Sequence, residues 1–311
     1  MEASKDIELV PNTFKDLAGE EQVKKDQDTL LTESWVCLNG IWMLESEAHI
    51  PVENRGMMYG DGLFETMVST NGQIILLNEH LNRLNNGLDY LGIDLQSSRE
   101  EWRRLFEAGI RKNGHLGSQH VVRLQCWRNG GRGYTSRTSK GSWFLSFRAM
   151  PNEFDKTSYR LMSSSFTLSE KAVQANFLKS SNALLYVMAA TEAQRKDYDD
   201  ALLCNGDGYV GECSSANIFW VKDQTIYTPS IMCGILQGTR RDALLRELYN
   251  QSLFSVQEGL FYIESLLEAD FVFSTSTIKG IQLVHSLDAI QFGKDLDILD
   301  RVNKIYQSII L

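Results

Sequence analysis

The sequence predicts an α+β fold, with strands and helices mixed and no regular βαβ alternation. Three observations predict it. The runs "WVCLNGIWML" and "LFETMVSTNGQIILL" each place two apolar stretches around an Asn-Gly pair, Asn39-Gly40 and Asn71-Gly72, a strong hairpin signal. After these hairpins, apolar residues switch to helical spacing. No G-x-G-x-x-G opens a helix after a strand, which argues against a doubly wound dinucleotide fold.

The elements follow in order. Residues 1–34 carry nine acidic and four basic residues, over half of the chain's net charge of −9. They predict a solvated extension with a short helix around Glu20–Leu31. In "NEHLNRLNNGLDYLGI", Leu81, Leu84, Leu88 and Leu91 fall three or four apart, with Asn78 as the expected cap and Gly92 as the expected stop. "SREEWRRLFEAGIRKNG" predicts a second amphipathic helix. "QHVVRLQCW" and "GSWFLSFRAM" predict strands flanking the loop "GGRGYTS". The polar, proline-marked stretch 150–158 predicts a linker, dividing a domain over 35–149 from one over 159–311. Beyond it come a helix in "NALLYVMAATEAQRKDY", strands turning at Asn205–Gly208 and Lys222–Gln224, a helix opening after Gly238, and a short helix, strand and polar loop in "YIESLLEADFVFSTSTIKGIQLV".

Composition narrows the function classes. Of 311 residues, 43% are apolar and 23% charged, the balance of a globular protein. A net charge of −9 argues against nucleic acid or an anionic membrane surface as partner, since either needs a positive field. A small anionic ligand needs only a few local cations. The five cysteines form no C-x-x-C pair, the five histidines no spaced cluster, and no apolar run reaches the length of a membrane span. A reduced, cytoplasmic protein without a metal site is expected.

Several residues carry candidate chemistry. Gly238, Thr239 and Arg240 open a helix, where free backbone N–H groups favour a phosphate or simply form an ordinary capped start. Ser276 and Thr277, in "STST", offer hydroxyl donors or a plain turn. Arg83, taken alone, is a surface arginine. Lys179 lies just before a helix that Ser180, Ser181 or Asn182 can cap, so the helix dipole disfavours its charge, and a neutral amine forms a Schiff base with an aldehyde. Glu212 sits near the end of a buried strand and needs a partner, either a pyridinium nitrogen or an arginine.

The segments "RGMMYGDGLFETM", "HLNRL", "LKSSNALLYVMAATEA", "VGECSSANIFWV", "ILQGTRRDAL" and "FVFSTSTIKGI" occur in an order that resembles the fold-type IV, or class IV, pyridoxal-phosphate enzymes: branched-chain and D-amino-acid aminotransferases and aminodeoxychorismate lyases. The resemblance covers roughly residues 35–295. It implies a small N-terminal α/β domain, a larger, mostly-β, barrel-like C-terminal domain, and a homodimer with active sites near the interface. It implies pyridoxal 5'-phosphate as cofactor, with an amino acid and a 2-oxo acid as substrates. Lys179 matches the lysine that holds the cofactor aldehyde and shuttles the substrate proton, and Glu212 the acid facing the ring nitrogen. Arg83, Gly238, Thr239, Arg240, Ser276 and Thr277 match the phosphate cradle. The family usually has a branched aliphatic residue followed by Thr or Met where Thr239-Arg240 stands here. Arg132 and Tyr134 resemble the loop pair that binds a substrate carboxylate, the planar guanidinium fork matching a carboxylate. Arg123 matches a strand arginine of the branched-chain enzymes. Phe64 and Tyr59 either line the side-chain pocket or pack as core aromatics. The loop "RNGGRGY" leans towards the lyase; Arg123 and Glu65 are compatible with transamination.

Overall fold

The computed structural model describes residues 33–151, 159–169, 178–252, 254–293 and 296–310. The N-terminal extension with its expected helix, and nearly all of the expected linker, lie outside the described residues.

Both Asn-Gly pairs turn as expected, with positive φ at Asn39, Gly40, Asn71 and Gly72. They join β1 (Trp35–Leu38) to β2 (Ile41–Leu44), and β3 (Gly62–Thr70) to β4 (Gln73–Ile74). A short α1 (Arg55–Tyr59) precedes β3, capped by the Asn54 side chain on the Met57 N–H. Helices α2 (Leu77–Leu91) and α3 (Arg99–Lys112) follow, then β5 (Gln119–Arg128) and β6 (Gly141–Ala149) on either side of the "GGRGYTS" loop. These six strands form one antiparallel sheet in the order β2-β1-β6-β5-β3-β4. Leu81, Leu84 and Leu88 of α2 join Trp102 and Phe106 of α3 in its core. Gly92 ends α2 in the left-handed conformation. Asn78 does not cap it: α2 starts one residue earlier, after Leu76, which is itself left-handed. Ser98 and Glu101 form a capping box on α3.

The second sheet holds β7 (Tyr159–Ser163), β8 (Asp200–Cys204), β9 (Val210–Cys213), β10 (Asn217–Lys222), β11 (Thr225–Pro229), β12 (Ser255–Gly259), β13 (Phe271–Ser276), β14 (Gly280–Leu287) and β15 (Ile290–Gln291). Its order is β12-β11-β10-β13-β14-β7-β8-β9, with β15 paired to β14. The sheet curls into a half-barrel: β9 returns against β10, where the Cys213 N–H donates to the Ala216 carbonyl at 2.8 Å. Helices α4 (Leu184–Arg195), α5 (Thr239–Gln251), α6 (Ile263–Leu267) and α7 (Leu296–Ile310) pack on it. Val302, Ile305 and Tyr306 of α7 fill one core with Leu244 and Leu248 of α5.

The start of α4 departs from expectation. Its N-cap is Ala183, without a side-chain cap. Residues 179–181 instead run beside the first residues of β3: the Phe64 N–H donates to the Lys179 carbonyl, and the Ser181 N–H to the Gly62 carbonyl, both at 2.9 Å. Pairing to a strand has replaced capping, and it hands Lys179 to the first sheet.

Candidate active site

A cavity of about 510 Å³ is lined from both sheets. Alternation along β3 sets one wall. Phe64 and Thr66 face the cavity, while Leu63, Glu65 and Met67 are buried on the other side. The Lys179 Nζ stands 4.5 Å from the centroid of the Phe64 ring, and the Arg123 guanidinium 4.0 Å from it. Burial first, then the Arg83 guanidinium, lowers the Lys179 amine to about 8. The expected depression is present, with burial as its first cause, on a residue five positions ahead of α4.

Glu212 lies across the cavity on β9 and is 3% exposed. Its Oε1 accepts from the Tyr186 hydroxyl at 2.7 Å and the Leu236 N–H at 2.9 Å, and its Oε2 from Asn217 Nδ2 at 3.0 Å. Burial raises it to about 7 against these donors. Burial also raises the Tyr186 phenol, which stays protonated and donates.

The third corner is built for an anion. Gly238 is the N-cap of α5, and Thr239 and Arg240 form its first turn. A Cβ on Gly238 would meet Asn217 Oδ1 at 1.9 Å, so no other residue fits between α5 and that amide. The two successive arginines differ. Arg241 pairs with Asp242 at 3.0 Å and Glu258 at 2.6 Å. Arg240, 3% exposed, has no hydrogen-bond acceptor among the described residues, and its Nε and Nη1 are buried and orphaned beside the Tyr306 ring. Thr275 Oγ1, on the same lining, is also buried without a partner. Trp220 Nε1, Arg241 Nε and His285 Nδ1 are also buried without a partner, away from this lining; the orphans on the cavity wall, at Arg240 and Thr275, are the ones a ligand could satisfy. Ser276 and Thr277 complete this corner.

Arg83 is not a surface arginine. Its Nε and Nη2 hold Glu65 in a fork at 2.7 Å each, and its Nη1 donates to the Gln237 carbonyl at 2.9 Å. Burial alone would raise Glu65; Arg83 and His80 pull it down to about 2. Burial lowers His80, so the ring is neutral. Since ionised Glu65 only accepts, His80 Nδ1 donates to it at 2.7 Å, and Nε2 accepts from the Thr239 hydroxyl at 3.3 Å. This chain ties β3 through α2 to the start of α5.

Arg132, Tyr134 and Tyr59 stand elsewhere in the chain. Tyr59 and Tyr134 line a separate pocket of about 380 Å³ with Arg55 and Arg128. Tyr134 is 92% exposed, and Arg132, 76% exposed, pairs with Glu53 at 2.8 Å. The loop backbone is nevertheless fixed. Buried Arg55 donates to the carbonyls of Gly131, Gly133 and Tyr134 and pairs with Asp61, and the Gly133 N–H donates to the Tyr59 hydroxyl at 2.8 Å. Arg123 donates to Gln125 at 3.0 Å and reaches the cavity only through Phe64.

Sequence reasoning missed Arg55, His80, Tyr186, Asn217 and Lys279. Two stood near a named residue in sequence: Tyr186 is seven residues after Lys179 and Asn217 five after Glu212.

Among the described residues no group of histidine, cysteine and acidic side chains is arranged to hold a metal ion, and no helix is long and apolar enough to cross a membrane.

The chain belongs to the class IV amino-transferase family, whose profile matches residues 62–287. It is 30% identical over 264 residues to the D-alanine aminotransferase of Bacillus licheniformis, covering 83% of this chain and 90% of that one. It is 27% identical over 250 residues to the aminodeoxychorismate lyase of Vibrio harveyi, covering 78% and 89%. Its fold matches the crystal structure of the branched-chain aminotransferase from the thermophilic archaeon Thermoproteus uzoniensis with norvaline, with a TM-score of 0.82, 23% identity and coverage of 89% and 95%.

Proposed function

We propose that the protein is a pyridoxal-phosphate aminotransferase that moves an amino group between a small amino acid, of the branched-chain or D-amino-acid type, and a 2-oxo acid. The observation that carries this is one cavity holding a low-pKa lysine, a buried acid and an orphaned arginine at a helix start. When bound, the cofactor supplies an electron sink for the charge left on loss of the substrate's α-proton. The residues present fit it. Arg240, the backbone N–H groups at Thr239 and Arg240, Thr275, Ser276 and Thr277 hold the phosphate. Arg83 lends its remaining N–H groups, while its Glu65 fork fixes its orientation. Glu212 would favour a protonated ring nitrogen, with Tyr186 and Asn217 holding the carboxylate in place. Lys179 Nζ would hold the aldehyde, and as a neutral amine it would take and return the α-proton. Phe64 packs beside that amine and narrows access for water.

The two sheets correspond to two domains, 35–149 and 159–311, with the site between them. Arg132 and Tyr134 point outward on a loop held by Arg55, as residues serving a neighbouring subunit's site would, and a homodimer is the assembly this favours. The loop "RNGGRGY" favours a second reading, the lyase that forms 4-aminobenzoate and pyruvate from aminodeoxychorismate.

The test is a half-reaction screen. Purified protein is expected to be yellow, and borohydride to fix a pyridoxyl group on Lys179. Mixing with L- and D-amino acids and aminodeoxychorismate, while following the cofactor spectrum, separates the readings. A colourless protein that takes up no pyridoxal phosphate, or a label on another lysine, rejects the proposal.

A further inference from the structure

Five charged side chains line the cavity: Arg83, Lys179, Glu212, Arg240 and Lys279. Four have a role in the reading above, and the present inference rests on it. Lys279 is left over. It follows β13 in the turn that leads into β14, and its backbone is pinned where its N–H donates to Ser276 Oγ at 3.1 Å. Its Nζ lies 4.6 Å from the Tyr159 ring centroid and 3.3 Å from the Tyr159 hydroxyl. Tyr159 itself donates to Asp200 Oδ2 at 2.9 Å, and burial, then Asp200, keeps its phenol protonated. The phenol oxygen therefore accepts from Lys279 and takes one of its three N–H groups. No carboxylate among the described residues lies within 4.0 Å of Lys279. The nearby acid, Asp200, is already satisfied by the hydroxyls of Tyr159, Ser214 and Ser215 and the Ala201 N–H.

A tethered ammonium with two free donors, on a residue lining a cavity whose other cations are committed, calls for an anion. The phosphate is held at the α5 corner. The charge that remains on an amino acid or oxo acid is a carboxylate. We infer that Lys279 is a substrate-binding residue that receives a substrate carboxylate, and that it restricts this cavity to carboxylate-bearing substrates over uncharged amines. The aromatic face and hydroxyl of Tyr159 orient the ammonium, so Tyr159 is a positioning residue.

The test uses unreactive ligands and the full-length protein as purified. Ligand-observed NMR titration gives dissociation constants for propanoate (one carboxylate), glutarate (two) and butanamide (none). Lys279→Met is expected to weaken a carboxylate ligand about tenfold or more and leave butanamide unchanged, with Lys279→Arg retaining most of the affinity. Weakening of both acids assigns Lys279 to the carboxylate common to all substrates. Weakening of glutarate alone assigns it to a second, distal carboxylate. Equal affinities in wild type and variant, or an equal loss for butanamide, overturn the inference. Circular dichroism of both variants guards against misfolding, and Lys279→Arg decides the matter if the methionine variant does not fold. Absence of a pyridoxyl label on Lys179 alongside a Lys279-dependent carboxylate site would sink the cofactor reading and leave this one standing.

Discussion

The Lys179 cavity and the Gly130–Ser136 loop use arginine in opposite ways. In and behind the cavity wall, the ionisable groups are enclosed and their proton affinities are displaced: Lys179 to about 8 and Glu212 to about 7 on the lining, and Glu65 to about 2 beneath Arg83. In the loop, the enclosed arginine is Arg55, which spends its donors on Asp61 and three backbone carbonyls, while Arg132 and Tyr134 stand in solvent. One region stores chemistry in buried side chains. The other stores shape in a buried side chain and leaves Arg132 and Tyr134 outside.

The largest effect that separates the two is expected from Lys179→Ala, which lowers turnover by about a thousandfold or more while circular dichroism and the melting temperature stay near wild type. A variant retaining a tenth of the activity would place the chemistry elsewhere. Next is Glu65→Gln, which leaves the Arg83 and His80 side of a buried cluster uncompensated, at a cost of about 3–5 kcal/mol by urea unfolding. The sign with pH follows from its lowered pKa. In wild type the contribution is present above about 4.5 and is lost as pH falls towards about 2. The variant lacks that acid-side loss.

A pH experiment sharpens the cavity side further. Cofactor-free protein labelled with pyridoxal and borohydride is expected to show a Lys179 rate that rises to a plateau above about 8. An ordinary lysine plateaus near 10.5, so at neutral pH Lys179 has on the order of a hundredfold more neutral amine. A profile still rising at pH 10 would show an unperturbed amine. On the loop side, Arg55→Ala is expected to cost about 2–3 kcal/mol and expose residues 130–136 to proteolysis. Unchanged protease resistance would mean that the loop needs no internal anchor. The smallest effect belongs to Arg132→Ala: KM for the oxo acid rises about tenfold with kcat and melting temperature nearly unchanged. An unaltered KM removes Arg132 from substrate binding.

Local pattern made much of the fold legible. Both Asn-Gly hairpins, the Ser98 start of α3, the Gly92 stop of α2 and the opening of α5 after Gly238 rest on short-range geometry, which sequence records directly. The class IV resemblance made the core site legible, since Lys179, Glu212, Arg83, Gly238, Thr239, Arg240, Ser276 and Thr277 all line one cavity. What stayed hidden depends on partners distant in sequence. Ser180, Ser181 and Asn182 look like caps until β3 claims their neighbourhood. Arg83 looks solvated until Glu65, 18 residues earlier on a strand, is seen beneath it. The helical spacing of "LDILDRVNKIYQSII" is a short-range signal of the same kind as the hairpins, and it forms α7. Lys279 is one cation among 31 until a cavity surrounds it.

The carboxamide of Asn217 touches both ends of the cavity. Its nitrogen donates to Glu212 and to the Leu236 carbonyl, and its oxygen sits in the space that a Cβ on Gly238 would claim. A single short side chain thus acts as a caliper, setting the span from the acid to the helix start. A molecule lying between Glu212 and the start of α5 is measured against that span, and accommodating a longer or shorter one is expected to require a change at residue 217 first.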